Sequence, residues 1–221
     1  MTDLKTIRGV IFDVDGTLLD SMSLWGRVEA DYLIGLGVTP RPGMSDDLRM
    51  LGGLEVPMYF QEEYGLRETV EEIITGINGM AEDFYLNKVP LKEGVFDVVE
   101  LLYAHGIKMC VATATDRCLV EPALKRCGVL NYFERIFTCG EEATSKSRPD
   151  IYIRAAAFLG TKIKNTLVVE DALYAMESAR SAGFPIAAIY DFSEDDQQDE
   201  IKTLCDIYLK SFEELPQYLQ I

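Results

Sequence analysis

Two aspartates, Asp13 and Asp15, follow the apolar run GVIF and are followed directly by Gly16. Such a run is typical of a buried strand, and strand residues i and i+2 point to the same side, so both carboxylates can face one reacting centre. Gly16 allows a sharp turn and a close approach to a ligand. A calcium-binding loop would have its glycine later, after three ligand positions. The spacing therefore indicates paired carboxylates at the carboxyl end of a strand, where ligands bind in open α/β sheets.

The elements that must position this pair alternate along the chain. Short apolar runs predict strands over 8–14, 108–114, 135–139, 166–169, 185–190 and 206–209. Helical patterns lie between them at 94–104, 118–127, 149–159 and 173–182. Most of the apolar runs lack polar alternation, as do strands that are buried on both faces of a parallel sheet. The predicted fold class is therefore α/β, a doubly wound parallel sheet covered by helices.

One long segment breaks this alternation. From 21 to 88 the sequence contains helical patterns, such as SLWGRVEADYLIGLG and EVPMYFQEEYG, and no convincing strand. We predict an inserted α-helical domain at 21–88, with 1–20 and 89–221 together forming the α/β core. The alternative is that these helices lie directly on the sheet as part of a single domain.

Composition excludes several classes of protein. The 221 residues include 37 acidic and 21 basic side chains, a net charge of −16, which argues against nucleic acid or an anionic membrane as partner. No apolar run approaches the roughly 18 residues of a membrane span, and MTDLKTIRGV does not resemble a secretory signal. Five cysteines without a C-x-x-C pair are expected to be reduced thiols, and a cytoplasmic location is expected. The acidic run 191–200 is expected to be a solvated loop or helix start.

Three further motifs follow the string DVDGT in order. They are Thr113 in KMCVATATDR, Lys146 in SKSRPDIY, and the pair Glu170–Asp171 in TLVVEDA. Each alone would indicate a strand-end hydroxyl, a surface lysine or a helix cap. Together and in this order they closely resemble the four motifs of the haloacid dehalogenase-like (HAD) superfamily of phosphotransferases. The resemblance implies a Rossmann-like HAD core.

The same resemblance implies a magnesium-dependent reaction on a small phosphorylated metabolite. Asp13 would be the nucleophile and Asp15 the general acid and base, with Lys146 as the cation beside them. The implied Mg²⁺ ligands are Asp13, the main-chain carbonyl of Asp15, Asp171 and, directly or as a neighbour, Glu170. The implied phosphate-binding groups are Thr113, Ala114 and Lys146. Ala172 and Ala175 replace the family's usual Ser and Gly in the fourth motif, so the helix packing there is expected to shift slightly. Loss of the serine hydroxyl predicts a somewhat weaker metal affinity.

The helical insertion resembles the type 1 cap of the β-phosphoglucomutase-like branch, joined to the core by hinges near 19–23 and 87–93. In that mutase a histidine aligns with Trp25, and basic cap residues align near 52–56, where this chain has GGLEV. Both differences favour a phosphatase. Candidate substrate contacts are Trp25, Arg27, Tyr32, Arg49 and Tyr59, although aromatic residues at helical spacing more often pack in a core.

Three hypotheses for function follow from the sequence. The first is a phosphatase that acts on a small metabolite, such as a sugar phosphate, through an aspartyl-phosphate. The second is a β-phosphoglucomutase-type sugar phosphomutase. The third is a non-catalytic regulator that binds a phosphometabolite. The sequence predicts no oligomeric state.

Overall fold

The computed structural model describes residues 4–48, 51 and 55–221, without the side chain of Asp46. Its centre is a six-stranded parallel sheet in the order β3-β2-β1-β4-β5-β6. The strands are β1 (Gly9–Phe12), β2 (Lys108–Thr113), β3 (Ile136–Thr138), β4 (Thr166–Glu170), β5 (Ile186–Ile189) and β6 (Ile207–Leu209). The chain adds strands first on one side of β1 and then on the other. This creates a topological switch point between β1 and β4, where open α/β sheets bind ligands.

The strands are buried on both faces because helices cover both sides of the sheet. In β1, Val10 and Phe12 pack into one apolar cluster and Ile11 packs into the other. In β4, Val169 packs into the same cluster as Val10 and Phe12, and Val168 packs into the same cluster as Ile11. This period of two, with apolar residues on both faces, explains the continuous apolar runs of the sequence. The predicted doubly wound parallel sheet is confirmed.

After β1 and before the next strand, the described part of the chain forms four helices, which we call the inserted helices. They are α1 (Met22–Gly35), α2 (Met44–Leu48), α3 (Glu55–Tyr64) and α4 (Val70–Asn87). α4 begins with a capping box, in which the Thr69 hydroxyl accepts from the Glu72 amide and the Glu72 carboxylate accepts from the Thr69 amide. Tyr32 of α1 stacks on Phe60 of α3, with ring centroids 6.4 Å apart. A Cβ on Gly76 of α4 would lie only 2.4 Å from the Tyr32 ring, so this glycine lets α1 and α4 approach closely.

Two connections join the inserted helices to the sheet, and they run side by side. The amide of Asp20 donates to the carbonyl of Pro90, and the amide of Lys92 donates to the carbonyl of Leu18, both at 3.0 Å. Leu19 and Leu91 form an antiparallel bridge between these bonds. The entry to and exit from the inserted helices therefore form one short paired ribbon.

The remaining helices pack on the sheet. They are α5 (Val95–Ala104), α6 (Arg117–Arg126), α7 (Cys139–Glu142), α8 (Asp150–Leu159), α9 (Leu173–Ser181), α10 (Gln198–Leu204) and α11 (Leu215–Leu219). Every strand and core helix predicted from the sequence is present, with ends shifted by one or two residues. The largest shift is at β1, which ends at Phe12 rather than at 14. Within the described ranges, no helix combines the length and apolar character that crossing a bilayer requires.

Candidate active site

A cavity of about 470 Å³ lies between the carboxyl ends of the strands and the inserted helices. It falls at the switch point of the sheet, because its floor is built from residues that end or follow β1, β2 and β4. All of the site residues expected from the sequence line it: Asp13, Asp15, Thr113, Ala114, Lys146, Glu170 and Asp171. Motifs that are far apart along the chain are thus brought to one edge of the sheet.

Three buried carboxylates at this edge form what we call the acidic cluster: Asp13, Glu170 and Asp171. One carboxylate oxygen from each lies within 4.8 Å of the others. The Lys146 ammonium donates to Asp13 Oδ1 and, at 2.6 Å, to Glu170 Oε1. The Tyr152 hydroxyl donates to the same Glu170 oxygen at 2.7 Å. A single buried cation therefore bridges two members of the cluster.

Gly16 permits the close approach of the first motif to the fourth. It adopts a φ of +77°, a conformation that favours glycine, and a Cβ here would lie 2.2 Å from Asp171 Oδ2. The next residue, Thr17, donates its hydroxyl to Asp171 Oδ1 at 2.9 Å. The glycine is required both by the turn and by the carboxylate that lies against it.

Burial and mutual repulsion perturb the ionisation of these groups. Burial raises the pKa of Asp13, an effect that Lys146 opposes and that Glu170 and Asp15 reinforce. Burial raises the pKa of Asp171 well above its usual value, and the charges of Asp13 and Glu170 add to the increase. Burial alone would lower the pKa of Lys146, but the carboxylates of Asp13 and Glu170 hold it well above its usual value. Three carboxyl groups thus share one ammonium group, and in the absence of a further cation their burial favours the protonated forms of Asp13 and Asp171.

The chemistry of the acidic cluster fits a hard divalent cation such as Mg²⁺. All of its donors are carboxylate oxygens, which Mg²⁺ prefers. The second oxygen of Glu170, Oε2, is buried and accepts no hydrogen bond from any residue in the described part of the chain. A buried acceptor without a donor is costly, and a cation would satisfy it.

Three hydroxyl groups donate hydrogen bonds to the Asp15 carboxylate. Its Oδ1 accepts from the Ser21 hydroxyl at 2.7 Å and from the Tyr85 hydroxyl, and its Oδ2 accepts from the Thr115 hydroxyl at 2.6 Å. The indole of Trp25 donates to the Tyr85 oxygen at 2.6 Å. Tyr85 and Trp25 belong to the inserted helices, so the position of this carboxylate depends on both parts of the molecule.

Thr113 and Ala114 lie at the end of β2 and the start of the loop that follows it. The Thr113 side chain is fully buried, and its hydroxyl accepts from the amide of Thr115 at 3.1 Å. Asp116 in the same loop accepts from the Asn78 amide of α4 at 2.7 Å. The phosphate-binding loop expected from the sequence is therefore also tied to the inserted helices.

Comparison with known proteins shows the family of the chain. A family model described as haloacid dehalogenase-like hydrolase matches residues 10–189. The chain belongs to this family. It is 26% identical over 217 residues to hexitol phosphatase B of Escherichia coli (strain K12), covering 97% of both chains. It is 28% identical over 192 residues to protein CbbY of Rhodobacter capsulatus, covering 81% of this chain and 84% of that protein.

Solved structures of similar fold support the same assignment. CbbY from Rhodobacter sphaeroides in complex with phosphate superposes with a TM-score of 0.84 at 25% identity, covering 97% of this chain and all (100%) of that one. β-Phosphoglucomutase from Clostridium difficile superposes with a TM-score of 0.76 at 16% identity over 97% of each chain, which establishes likeness of fold alone. The predicted family resemblance is confirmed.

The acidic run 191–200 of this HAD-like hydrolase agrees only in part with its prediction. Asp191 and Glu194 are buried rather than solvated, and Glu194 lines the cavity. Asp191 accepts from the Lys92 ammonium at 2.8 Å, and Lys92 also donates to the carbonyl of Gly16 at 2.6 Å. The predicted helix start is confirmed, because Asp191 caps a 3-10 helix over Phe192–Gln197 and α10 begins at Gln198. The predicted solvation was wrong at the start of the run, because a cation from a distant connection neutralises it there and links it to the first motif.

The inserted helices of the hydrolase form one wall of the cavity. Only some of the residues predicted to contact the substrate lie on this wall. Trp25 lines the cavity, but Arg27, Tyr32 and Tyr59 do not. Tyr32 is buried among the inserted helices, and Tyr59 pairs with Arg41 and Asp47 away from the cavity. Arg49 and 52–54 lie outside the described residues.

Several residues at the site carried no sequence signal. Tyr85 and Tyr152 lie on helices at positions whose apolar neighbours predict only a packing role, yet each donates to a carboxylate of the site. Ser21 lies at the end of DGTLLDS, and its contact with Asp15 depends on the turn that Gly16 allows. Lys92 could be found only through its partners in the fold.

Proposed function

We propose that this HAD-like hydrolase is a Mg²⁺-dependent phosphatase that hydrolyses a small phosphorylated metabolite, such as a sugar phosphate, through an aspartyl-phosphate. The observation that carries the proposal is the arrangement of Lys146, Asp15 and the acidic cluster around one cavity at the carboxyl ends of the strands. The similarity to hexitol phosphatase B and to CbbY supports a phosphorylated polyol or sugar as the substrate class.

Asp13 is the proposed nucleophile. Its carboxylate oxygen attacks phosphorus, the bond from phosphorus to the leaving oxygen breaks, and the phosphoryl group is transferred to Asp13. Lys146 contacts Asp13 and would also bind an oxygen of the substrate phosphate as a fixed positive charge. The Thr113 hydroxyl and the Ala114 amide are the proposed donors to a second phosphate oxygen.

Asp15 is the proposed general acid and base. It gives its proton to the leaving oxygen, which departs as an alcohol. It then takes a proton from a water molecule, whose oxygen attacks the phosphorus of the aspartyl-phosphate and releases inorganic phosphate and the Asp13 carboxylate. The hydrogen bonds from Ser21, Tyr85 and Thr115 would hold Asp15 in the position that both steps need.

The proposed Mg²⁺ ligands are Asp13, the main-chain carbonyl of Asp15 and Asp171, with Glu170 as a further ligand or neighbour. When bound, the ion would neutralise the phosphate and the acidic cluster and so allow one anion to approach others. The unpartnered Glu170 oxygen supports this assignment.

We also propose that the inserted helices, 21–88, form a cap over a core made of 1–20 and 89–221, and that the protein acts in the cytoplasm. Closure of such a cap would exclude water from the reacting phosphate. A phosphomutase would need a cation for the second phosphate of its intermediate. Among the described residues that line the cavity, Lys146 is the one lysine or arginine, which favours hydrolysis.

The proposal is tested by measuring inorganic phosphate released from a panel of phosphorylated metabolites, with Mg²⁺ and with EDTA. We expect Mg²⁺-dependent release, and a loss of at least about 10³-fold in Asp13→Asn. Asp20→Asn, the same change at an exposed position, is the matched control and should retain activity. Turnover that survives in Asp13→Asn, or a rearranged sugar phosphate in place of free phosphate, would refute the proposal.

A further inference from the structure

One face of α1 forms part of the cavity wall, and Glu29 is the charged residue on it. The lining residues of α1 recur at helical spacing: Met22, Trp25, Gly26, Glu29 and Ala30. The facing positions of the other inserted helices are mostly apolar, including Leu48, Val56 and Ile77. Glu29 is thus a single carboxyl group on an otherwise largely apolar wall, in the same cavity as the acidic cluster.

The Glu29 carboxyl has no side-chain partner in the described part of the chain. It makes no side-chain hydrogen bond or ion pair there and accepts only from its own main-chain amide, whereas Asn78, another polar residue of this wall, is already bonded to Asp116. Burial raises the pKa of Glu29 from 4.5 to about 7, and only the hydrogen bond from its own amide opposes the shift. A carboxyl group in this setting is costly to the fold unless a ligand supplies hydrogen-bond donors.

The wall also differs in charge from the core side of the cavity. A substrate held by its phosphate at the acidic cluster and Lys146 would place its other end in the part of the cavity that α1 and the other inserted helices line. A second phosphate there would meet a carboxyl group, and no described lysine or arginine of this wall would neutralise it. Hydroxyl groups, by contrast, would donate to Glu29 and satisfy it.

We infer that Glu29 is the specificity residue of the inserted helices, that it accepts hydrogen bonds from hydroxyl groups of a polyol or sugar monophosphate, and that it disfavours bisphosphates. This inference rests on the proposed function, since it assumes that the phosphate lies at the acidic cluster. It assigns recognition to a residue that takes no part in the phosphoryl-transfer steps.

The inference is tested first by binding, which does not require turnover. Sorbitol 6-phosphate and hexyl phosphate, which differ in their hydroxyl groups, are titrated by calorimetry in the presence of Mg²⁺ into Asp13→Asn and into the same protein with Glu29→Ala. We expect Glu29→Ala to weaken binding of sorbitol 6-phosphate by about tenfold or more and to leave hexyl phosphate within about twofold. Asp31→Asn, an exposed acidic position on the same helix, is the matched control.

Kinetics on the active protein then separate recognition from chemistry. Glu29→Ala should raise KM for sorbitol 6-phosphate by about tenfold with a much smaller change in kcat. Glu29→Gln should increase kcat/KM for fructose 1,6-bisphosphate relative to fructose 6-phosphate several-fold.

The inference is overturned if Glu29→Ala weakens both titrated ligands equally, if it behaves as Asp31→Asn does, or if the wild type prefers hexyl phosphate to sorbitol 6-phosphate. Failure of the proposed function has a different signature, because then the wild type releases phosphate from none of these esters. Circular dichroism of each variant confirms that its fold is intact.

Discussion

The two walls of the cavity differ in nearly every physical property. The core wall carries the acidic cluster, Asp15 and Lys146, and its charged groups hold one another through hydrogen bonds across the ends of β1, β2 and β4. The wall made by the inserted helices is mostly apolar, and its Glu29 has no side-chain partner among the described residues. The charged groups of the core wall are paired with one another, except that the acidic cluster needs a cation. Glu29 on the other wall depends on a bound ligand for hydrogen-bond donors.

In the proposed function, this difference separates phosphoryl transfer from substrate recognition. Changes on the inserted helices can alter which molecule is held without moving the groups that would attack phosphorus, which is how one fold serves many substrates. The separation is incomplete at Tyr85, which belongs to α4 but contacts Asp15 of the core wall. The predictions below test where the division holds.

The largest effect is expected on the core wall. Lys146→Met removes the buried cation that bridges Asp13 and Glu170, so phosphate release should fall by about 10²–10³-fold for every ester tested. Lys164→Met, at an exposed position, is the control and should have no effect. If phosphate release fell only for hydroxylated substrates, Lys146 would act in substrate recognition. That result would contradict the division of roles between the two walls.

Addition of Mg²⁺ should stabilise the core wall. Because the ion would neutralise the acidic cluster in the folded chain alone, a concentration of 100 times Kd should add about 2.7 kcal/mol to the free energy of unfolding. The measurement is the rise in Tm on titration with MgCl₂. Asp171→Asn should show a much smaller rise, and an equal rise in both proteins would argue against a site at the cluster.

Tyr85→Phe tests the point where the two walls meet. Loss of the hydrogen bond to Asp15 should reduce kcat by about tenfold for alkyl phosphates, whose leaving oxygen needs a proton. With p-nitrophenyl phosphate, whose leaving group is stable as an anion, the loss should be much smaller. Tyr103→Phe, on the exposed surface, is the control. Equal losses with both kinds of ester would mean that Tyr85 acts through packing rather than through Asp15.

The smallest effect is expected on the inserted wall, at Glu29. Its pKa is raised from 4.5 to about 7, so folding favours the protonated carboxyl, and this contribution to stability is complete below 4.5 and lost as the pH rises through 7. Glutamine stays neutral, so Glu29→Gln should be more stable than the wild type by about 1 kcal/mol at pH 8 and equal to it at pH 4.

Urea unfolding at both pH values measures this difference. The other charged groups that line the cavity, namely the acidic cluster, Asp15, Asp116, Lys146 and Glu194, are unchanged in the variant. A difference of the same size at pH 4 and pH 8 would mean that the carboxyl is not destabilised by its burial.

The core wall was largely predictable from the sequence, and the inserted wall was not. Asp13, Thr113 and Glu170 end or follow parallel strands, and such strands present their carboxyl ends at one edge, so order along the chain implies closeness in space. No comparable rule applies to helices packed on helices. Arg27 and Glu29 are two residues apart on α1, yet Glu29 lines the cavity and Arg27 does not, because the rotation of α1 is set by its packing on α4.

Long-range polar contacts escaped prediction for a related reason. Tyr85 lies far from Asp15 in sequence, and an aromatic residue on a helix gives no indication that its hydroxyl meets a carboxylate. Asp191 stands at the head of an acidic run that looks solvated, and its burial depends on Lys92. Both contacts are properties of the assembled fold and not of any local pattern.

The paired ribbon at Leu18–Asp20 and Pro90–Lys92 has a mechanical consequence. Two separate connections would let the inserted helices tilt and twist freely. Two connections that are hydrogen-bonded to each other bend as a single hinge. We therefore expect the proposed cap, if it opens, to swing about one axis. Since Asp15 lies just before this hinge and is bonded across it to Tyr85, such a swing would pull on the carboxylate that we propose as the general acid and base.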